Sequence, residues 1–193
     1  MNIFLLSKYN FYFSNISNNN SYINFLLSKN NLLNYLKSIN YFQIFNISQN
    51  YHIDKEKLKT LYKMLQFHFH PDKYKKRYAL ECSSIINIAY KTLMDDISRI
   101  KYILKLNNIK GKEKSNEKTN LLELFKIQEK IDNSSQEMLK KIKNDTLNKI
   151  KIYKEDINKE YDNKNFFKIK EIIDNINYNN SILNHIDKMN QKI

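Results

Sequence analysis

From Tyr41 onward, apolar side chains recur at spacings of three and four, the period of helices that bury one face. Leu58, Leu61, Tyr62, Leu65 and Phe69 form the first long stripe, with Asp54 placed to cap it and Pro71 to end it. A second helix is expected from about Lys75 to Leu93, with Cys82, Ile86, Ala89, Tyr90 and Leu93 inward. A short third, with Asp96 as its cap, carries Ile100, Leu104 and Leu106. Residues 107–118 show no apolar period and contain the one glycine of the chain, so they read as a linker. Three further helices are expected beyond it. One runs from about Asn120 to Ile131; a long one carries Leu139, Ile142, Leu147, Ile150, Tyr153, Ile157 and Tyr161; the last carries Ile169, Ile172, Ile173, Ile176, Leu183 and Ile186. The breaks fall at Asp132-Asn133-Ser134 and Asp162-Asn163, short connections that suit a small antiparallel bundle. No strand-like alternation competes, so the fold class is all-α.

Composition narrows what such a chain can do. With one Gly and one Pro in 193 residues, the turn glycines of sandwiches, barrels and dinucleotide or P-loop sites are missing. One cysteine excludes a disulfide framework and a cysteine-based zinc site. His52, His68, His70 and His185 have no metal-ligand spacing, so neither a metal nor another cofactor is expected. No apolar run is long enough for a membrane span. The net charge of +13 raises a nucleic-acid-binding reading, but the cations are dispersed and the aromatics fall on inward stripes.

The first 53 residues hold Lys8, Lys29 and Lys37 and no acid, a polarity that favours import into an organelle. Residues 1–39 therefore read as a transit leader or an Asn-rich disordered extension with no core-forming stripe. The remaining segments divide into 40–106, the linker 107–118, and 119–193.

The sharpest local feature is His70-Pro71-Asp72-Lys73 between two amphipathic helices. With Phe42-Gln43-Ile44-Phe45, Phe67-His68-Phe69 and Ile86-Asn87-Ile88-Ala89-Tyr90, it resembles the J-domain co-chaperones over about residues 40–106. In that family the His-Pro-Asp loop docks on a DnaK-type (heat shock protein 70) chaperone and stimulates its ATPase. The resemblance implies a chaperone-binding site of His70, Pro71, Asp72 and Lys73, with a basic helix flank from Lys59 and Lys63. Lys55 extends that flank. Phe67 departs from the pattern: several relatives carry Arg three residues before the His.

Tyr41-Phe42, Asp54, the stretch Arg99 to Leu106 and the three C-terminal helices extend the similarity to the HscB-type J-proteins of iron–sulfur cluster biogenesis. Leu121-Leu122-Glu123-Leu124-Phe125-Lys126-Ile127 supports this independently. Leu124, Ile127 and Ile131 can pack a bundle, while Leu121, Leu122 and Phe125 leave an apolar surplus that suits a partner groove. Tyr178 is displaced from the last stripe in the same way. The resemblance implies that Leu121, Leu122, Phe125, Glu129 and Tyr178 bind an IscU-type scaffold. At Lys126 the family often has an acid. The implied protein is a non-enzymatic co-chaperone of the mitochondrial matrix, coupling scaffold to chaperone. A J-protein with a different client is the alternative.

Overall fold

A computed structural model describes residues 21–26, 32–70, 72, 78–109 and 117–190. Every regular element among them is helical: α1 (Leu32–Ser38), α2 (Tyr41–Ile44), α3 (Lys55–Phe69), α4 (Ala79–Met94), α5 (Asp96–Leu106), α6 (Glu117–Asp132), α7 (Gln136–Asp162) and α8 (Phe166–Asn190). Residues 21–26 form a further helical stretch ahead of α1. The chain divides into two compact units, one up to Arg99 and one from Ile100. The division falls within α5 rather than in the 107–118 segment, and Ile100, Ile103 and Leu104, which follow it, are buried.

Local chemistry sets the helix ends. Asn40 and Gln43 form a reciprocal capping box at α2, and the Asp54 carboxylate accepts the Lys57 amide at 2.9 Å to open α3. The cap of α5 is Asp95, whose Oδ1 accepts the Ser98 amide at 2.8 Å; the sequence had pointed to Asp96. Asp96 is instead the first helical residue, turned toward Arg99 and Lys55. With so few glycines, three left-handed residues that end helices are Asn46, Asn108 and Lys164, at φ of 50°, 54° and 56°. Each supports the paired backbone bonds of a Schellman motif, as in Lys164 to Tyr161 and Asn165 to Glu160. Asn tolerates this conformation through its short polar side chain; Lys164 does not share that advantage. Helix α6 starts three residues before Asn120, so the end of the expected linker is helical.

In the first unit, α3 and α4 pack as a hairpin, with α1 and α2 also against α4. Leu58, Leu61, Leu65 and Phe69 face Cys82, Ile86, Ala89 and Leu93 in the buried set, in agreement with the spacing. The expectation that nothing before residue 40 joins a core does not hold. Ile23, Leu26, Leu32, Leu33 and Leu36 are all buried, and the Tyr22 hydroxyl donates to the Gln43 carbonyl at 2.6 Å. Burial of that hydroxyl raises its pKa, with the neighbouring Tyr35 acting in the same direction. Phe25 sits between Tyr22 and Tyr35 with ring centroids 6.2 and 5.8 Å apart. The physical reason is plain: Ile23 and Leu26 on one helical stretch, and Leu33 and Leu36 on α1, each lie three apart, short inward faces hidden within an Asn-rich composition.

The same unit is closed by Arg99, which is 3% exposed. Its guanidinium donates to the Tyr51 and Leu93 carbonyls and pairs with Asp96, while lying 5.0 Å from the Tyr51 ring centroid. Each of its three nitrogens thereby donates to an oxygen, the pairing that a buried cation requires. Burial opposes ionisation of Asp96, but hydrogen bonds from Lys55 and Arg99 and their charges outweigh it and hold its carboxyl below the usual range.

In the second unit, α8 packs along α7 and against α6. Ile131, Leu139, Ile182 and Ile186 form one core cluster, with Leu124, Ile127, Ile142, Tyr178 and Met189 packed on it. Two positions differ from the expected stripes. Thr146 is buried where Leu147 was expected, its hydroxyl donating to the Ile142 carbonyl, and Leu147 is 46% exposed. Likewise Ile182 is buried and Leu183 only half-buried.

Candidate functional site

The first candidate surface is the end of the α3–α4 hairpin. His70 is the C-cap of α3, with its amide still bonded to the Gln66 carbonyl but its backbone extended at φ −62° and ψ 138°. A residue that precedes proline is driven out of the helical region by the proline ring, so Pro71 explains why the helix stops here. The result is an exposed imidazole. The Asp72 amide donates to His70 Nδ1 at 3.3 Å, and the Asp72 carboxylate lies 3.5 Å from the same nitrogen. Pro71 and Lys73 lie outside the described residues, as do Lys75, Lys76 and Arg77.

Behind His70 the hairpin is locked by polar groups that the stripes did not reveal. Asn87 Oδ1 accepts from the Tyr62 hydroxyl at 2.8 Å and from Gln66 Nε2 at 2.7 Å. The Ser83 hydroxyl donates to Gln66 Oε1 at 3.2 Å. Tyr62 and Tyr90 stack face to face with centroids 3.9 Å apart. These bonds fix the register of α3 on α4 and thereby the direction in which His70 points. Asn87 and Gln66 appear in the sequence as ordinary polar residues; only their positions, one residue after the core residues Ile86 and Leu65, hinted at an interhelical role. Of the basic flank, Lys59 and Lys63 are exposed, whereas Lys55 is tied to Asp96 at 2.8 Å.

The second candidate surface is on α6. Leu122 and Phe125 are 64% and 58% exposed, on the side away from the buried Ile131. Glu129 is exposed one turn further on. Tyr178 is half-buried against the cluster that also takes Leu124 and Ile127, so it borders α6 but has a structural role as well. The side chain of Leu121 lies outside what is described. The end of α6 is held to α8 by His185 and Asp132, 2.7 Å apart.

Cys82 is buried and free, with its thiol pushed up by burial and then by Glu81, against Lys37. Such a thiol is a poor nucleophile. Among the described residues there is no group of three His, Cys, Asp or Glu able to hold a metal ion, and no helix long and apolar enough to cross a membrane.

Comparison with known proteins places these surfaces in context. No family model matches the chain. The human iron–sulfur cluster co-chaperone protein HscB is 28% identical over 152 residues, and the mouse protein of the same name 30%; each match covers 74% of this chain and 65% of the relative. The Arabidopsis thaliana homologue is 30% identical over 150 residues, covering 73% of this chain and 60% of the relative. The chain thus spans less than two thirds of the length of these curated relatives. The crystal structure of human HscB superposes with a TM-score of 0.68 at 27% identity, covering 80% of this chain and 84% of that one. Chaperone HscB from Vibrio cholerae gives 0.65 at 20% identity, a likeness of fold, over 80% and 99% of the two chains. In sequence and in fold, this chain is similar to the HscB-type co-chaperones.

Proposed function

We propose that the chain is a co-chaperone of iron–sulfur cluster biogenesis, docking a DnaK-type chaperone through the α3–α4 hairpin and an IscU-type scaffold through α6 and α8. One observation carries the reading. A rigid hairpin ending in exposed His70 and Asp72 is joined, in one chain, to a three-helix unit with exposed Leu122 and Phe125, and relatives named iron–sulfur cluster co-chaperones match 74% of that chain.

In this role the protein breaks no bond itself. Its hairpin presents the His70 imidazole and the Asp72 carboxylate, while Lys59 and Lys63 attract an acidic partner surface. The chaperone supplies the ATP hydrolysis that this contact accelerates. The scaffold is held by apolar side chains on α6, with Glu129 and Tyr178 at their border, so one molecule brings the client to the ATPase. Import into the mitochondrial matrix belongs to the same proposal, supported by the absence of acids among the first 53 residues. The test is the ATPase rate of a DnaK-type chaperone with this protein added. Stimulation is expected, and His70→Gln is expected to abolish it while leaving the thermal melt unchanged. Full stimulation by that variant would remove the hairpin from the mechanism.

A further inference from the structure

In the unit that begins at Ile100, the end of α5 and the first half of α8 line an open cavity of about 430 Å³ that neither candidate surface uses. Its floor is apolar. Leu104 and Ile173 are 4% and 1% exposed, and half-buried Ile109 lines the cavity with them. A turn brings Ile109 there: Asn108 is left-handed at φ 54°, and the Ile109 amide donates back to the Leu104 carbonyl at 3.0 Å.

The walls are cationic. Lys101 and Lys105 stand one turn apart on α5, and Lys170 lines the cavity from α8. Among the described residues, no acid lines it. Lys101 Nζ donates to Asn177 Oδ1 at 2.8 Å, which ties one wall to the other. Lys170 Nζ lies 2.8 Å from the carboxylate of Asp174, one turn further along α8. Lys105 is exposed and has no partner among the described residues. An ammonium carries three donors, so each of these lysines keeps at least one for a ligand.

The complement of such a cavity is an anion with an apolar body. Its volume falls in the range of about 300–1,000 Å³ that holds small organic molecules. A carboxylate would bring a single charge to three ammonium groups. A phosphate monoester brings about −1.5 to −2 at neutral pH and three acceptor oxygens. We propose that the cavity binds a free phosphate monoester on a short apolar stem, its phosphate held by Lys101, Lys105 and Lys170 and its stem lying on Leu104, Ile109 and Ile173.

The experiment is a titration of the full chain with octyl phosphate, followed by amide chemical shifts and by calorimetry. Shifts should saturate and concentrate on residues 101–109 and 170–177, with a Kd of about 1 mM or tighter. Inorganic phosphate, which lacks the stem, and octanol, which lacks the charge, should each bind at least about tenfold more weakly. Lys105→Gln should weaken octyl phosphate at least about fivefold, and Lys105→Arg should recover most of the loss. Lys140→Ala, on an exposed lysine of α7 that does not line the cavity, should change nothing. Melts of all three variants should match the parent, since both lysines are exposed. Shifts that spread over the lysines of α7 without saturating would show general attraction to a basic protein and overturn the site. Octyl phosphate binding no tighter than inorganic phosphate, or unaffected by Lys105→Gln, would overturn it as well. Retention on vesicles containing phosphatidic acid should be equal for the parent and Lys105→Gln. A loss in that variant would assign the cavity to a membrane headgroup and refute a free ligand.

Discussion

Replacing Leu36 by Ala tests whether the segment ahead of α2 is part of the folded unit. Leu36 is 2% exposed on α1, a helix that packs on α4. The change removes three carbons, about 2.4 kcal/mol of transfer free energy at about 0.8 kcal/mol per buried group. The cavity left between α1 and α4 adds to this, giving the range of about 2–5 kcal/mol seen for buried Leu→Ala changes. Against a typical domain stability of about 5–15 kcal/mol, that is a large fraction. In urea the midpoint should fall by roughly 1–2 M. Lys37→Ala, one residue on and exposed, should stay within about 0.5 kcal/mol. Cys82 supplies a local reporter, because it is the one thiol of the chain, 1% exposed on α4, and sensitive to the charge of Lys37. Its reaction with a thiol reagent should accelerate in Leu36→Ala. An unchanged midpoint together with unchanged thiol labelling would refute the reasoning and return the segment to a dispensable leader. If the protein is processed on import, a cut beyond Leu26 would strip buried side chains from the unit.

Other consequences can be measured separately. Replacing Leu122 and Phe125 together by Ala should weaken binding to an IscU-type scaffold at least about tenfold in a calorimetric titration, because apolar anchors cost about 1–3 kcal/mol each when truncated. The melt should not change, since both are exposed; a lowered melt would assign them to packing. Lys164→Gly should raise stability by about 1 kcal/mol by relieving a left-handed residue at the end of α7. A destabilised variant would contradict the φ of 56°. Asp96→Asn should destabilise by about 1–3 kcal/mol through loss of charge-assisted bonds to Arg99 and Lys55. Since the folded carboxyl titrates below its ordinary value of 3.8, its stabilisation is fully present above that value and is lost as pH falls through the lowered one. The gap between parent and Asp96→Asn should therefore be flat above about pH 5 and shrink below about pH 4. A gap that widened in acid would reverse the assignment.

The helices of 54–106 and 119–190 were legible because each carries one apolar stripe at helical spacing, with Pro71 marking the end of α3 and an Asp-Asn pair the ends of α6 and α7. The His70 loop was legible for the same reason, as a short motif between two such stripes. Four things were not. The inward faces of residues 21–26 and 32–38 are short and set among Asn and Ser, so composition pointed to a leader while Leu26, Leu32 and Leu36 went into the core. At Asp95-Asp96 the sequence offers two equivalent caps, and the choice was made by Arg99, a buried cation that draws Asp96 toward itself. At Thr146-Leu147 either residue fits the stripe within one position, and the helix rotation set by Ile142 and Ile150 left Leu147 outside. The Tyr62–Asn87–Gln66 lock belongs to tertiary pairing, which a single-helix pattern cannot contain.

The account centres on one chain joining two partners, and a four-way ATPase measurement tests that most directly. A DnaK-type chaperone would be assayed alone, with an IscU-type scaffold, with this protein, and with both. The account predicts modest stimulation by each and a rate with both together well above the sum of the separate increments, with that excess lost in His70→Gln and reduced by the Leu122 and Phe125 double variant. Purely additive rates, with the scaffold indifferent to the presence of this protein, would contradict it.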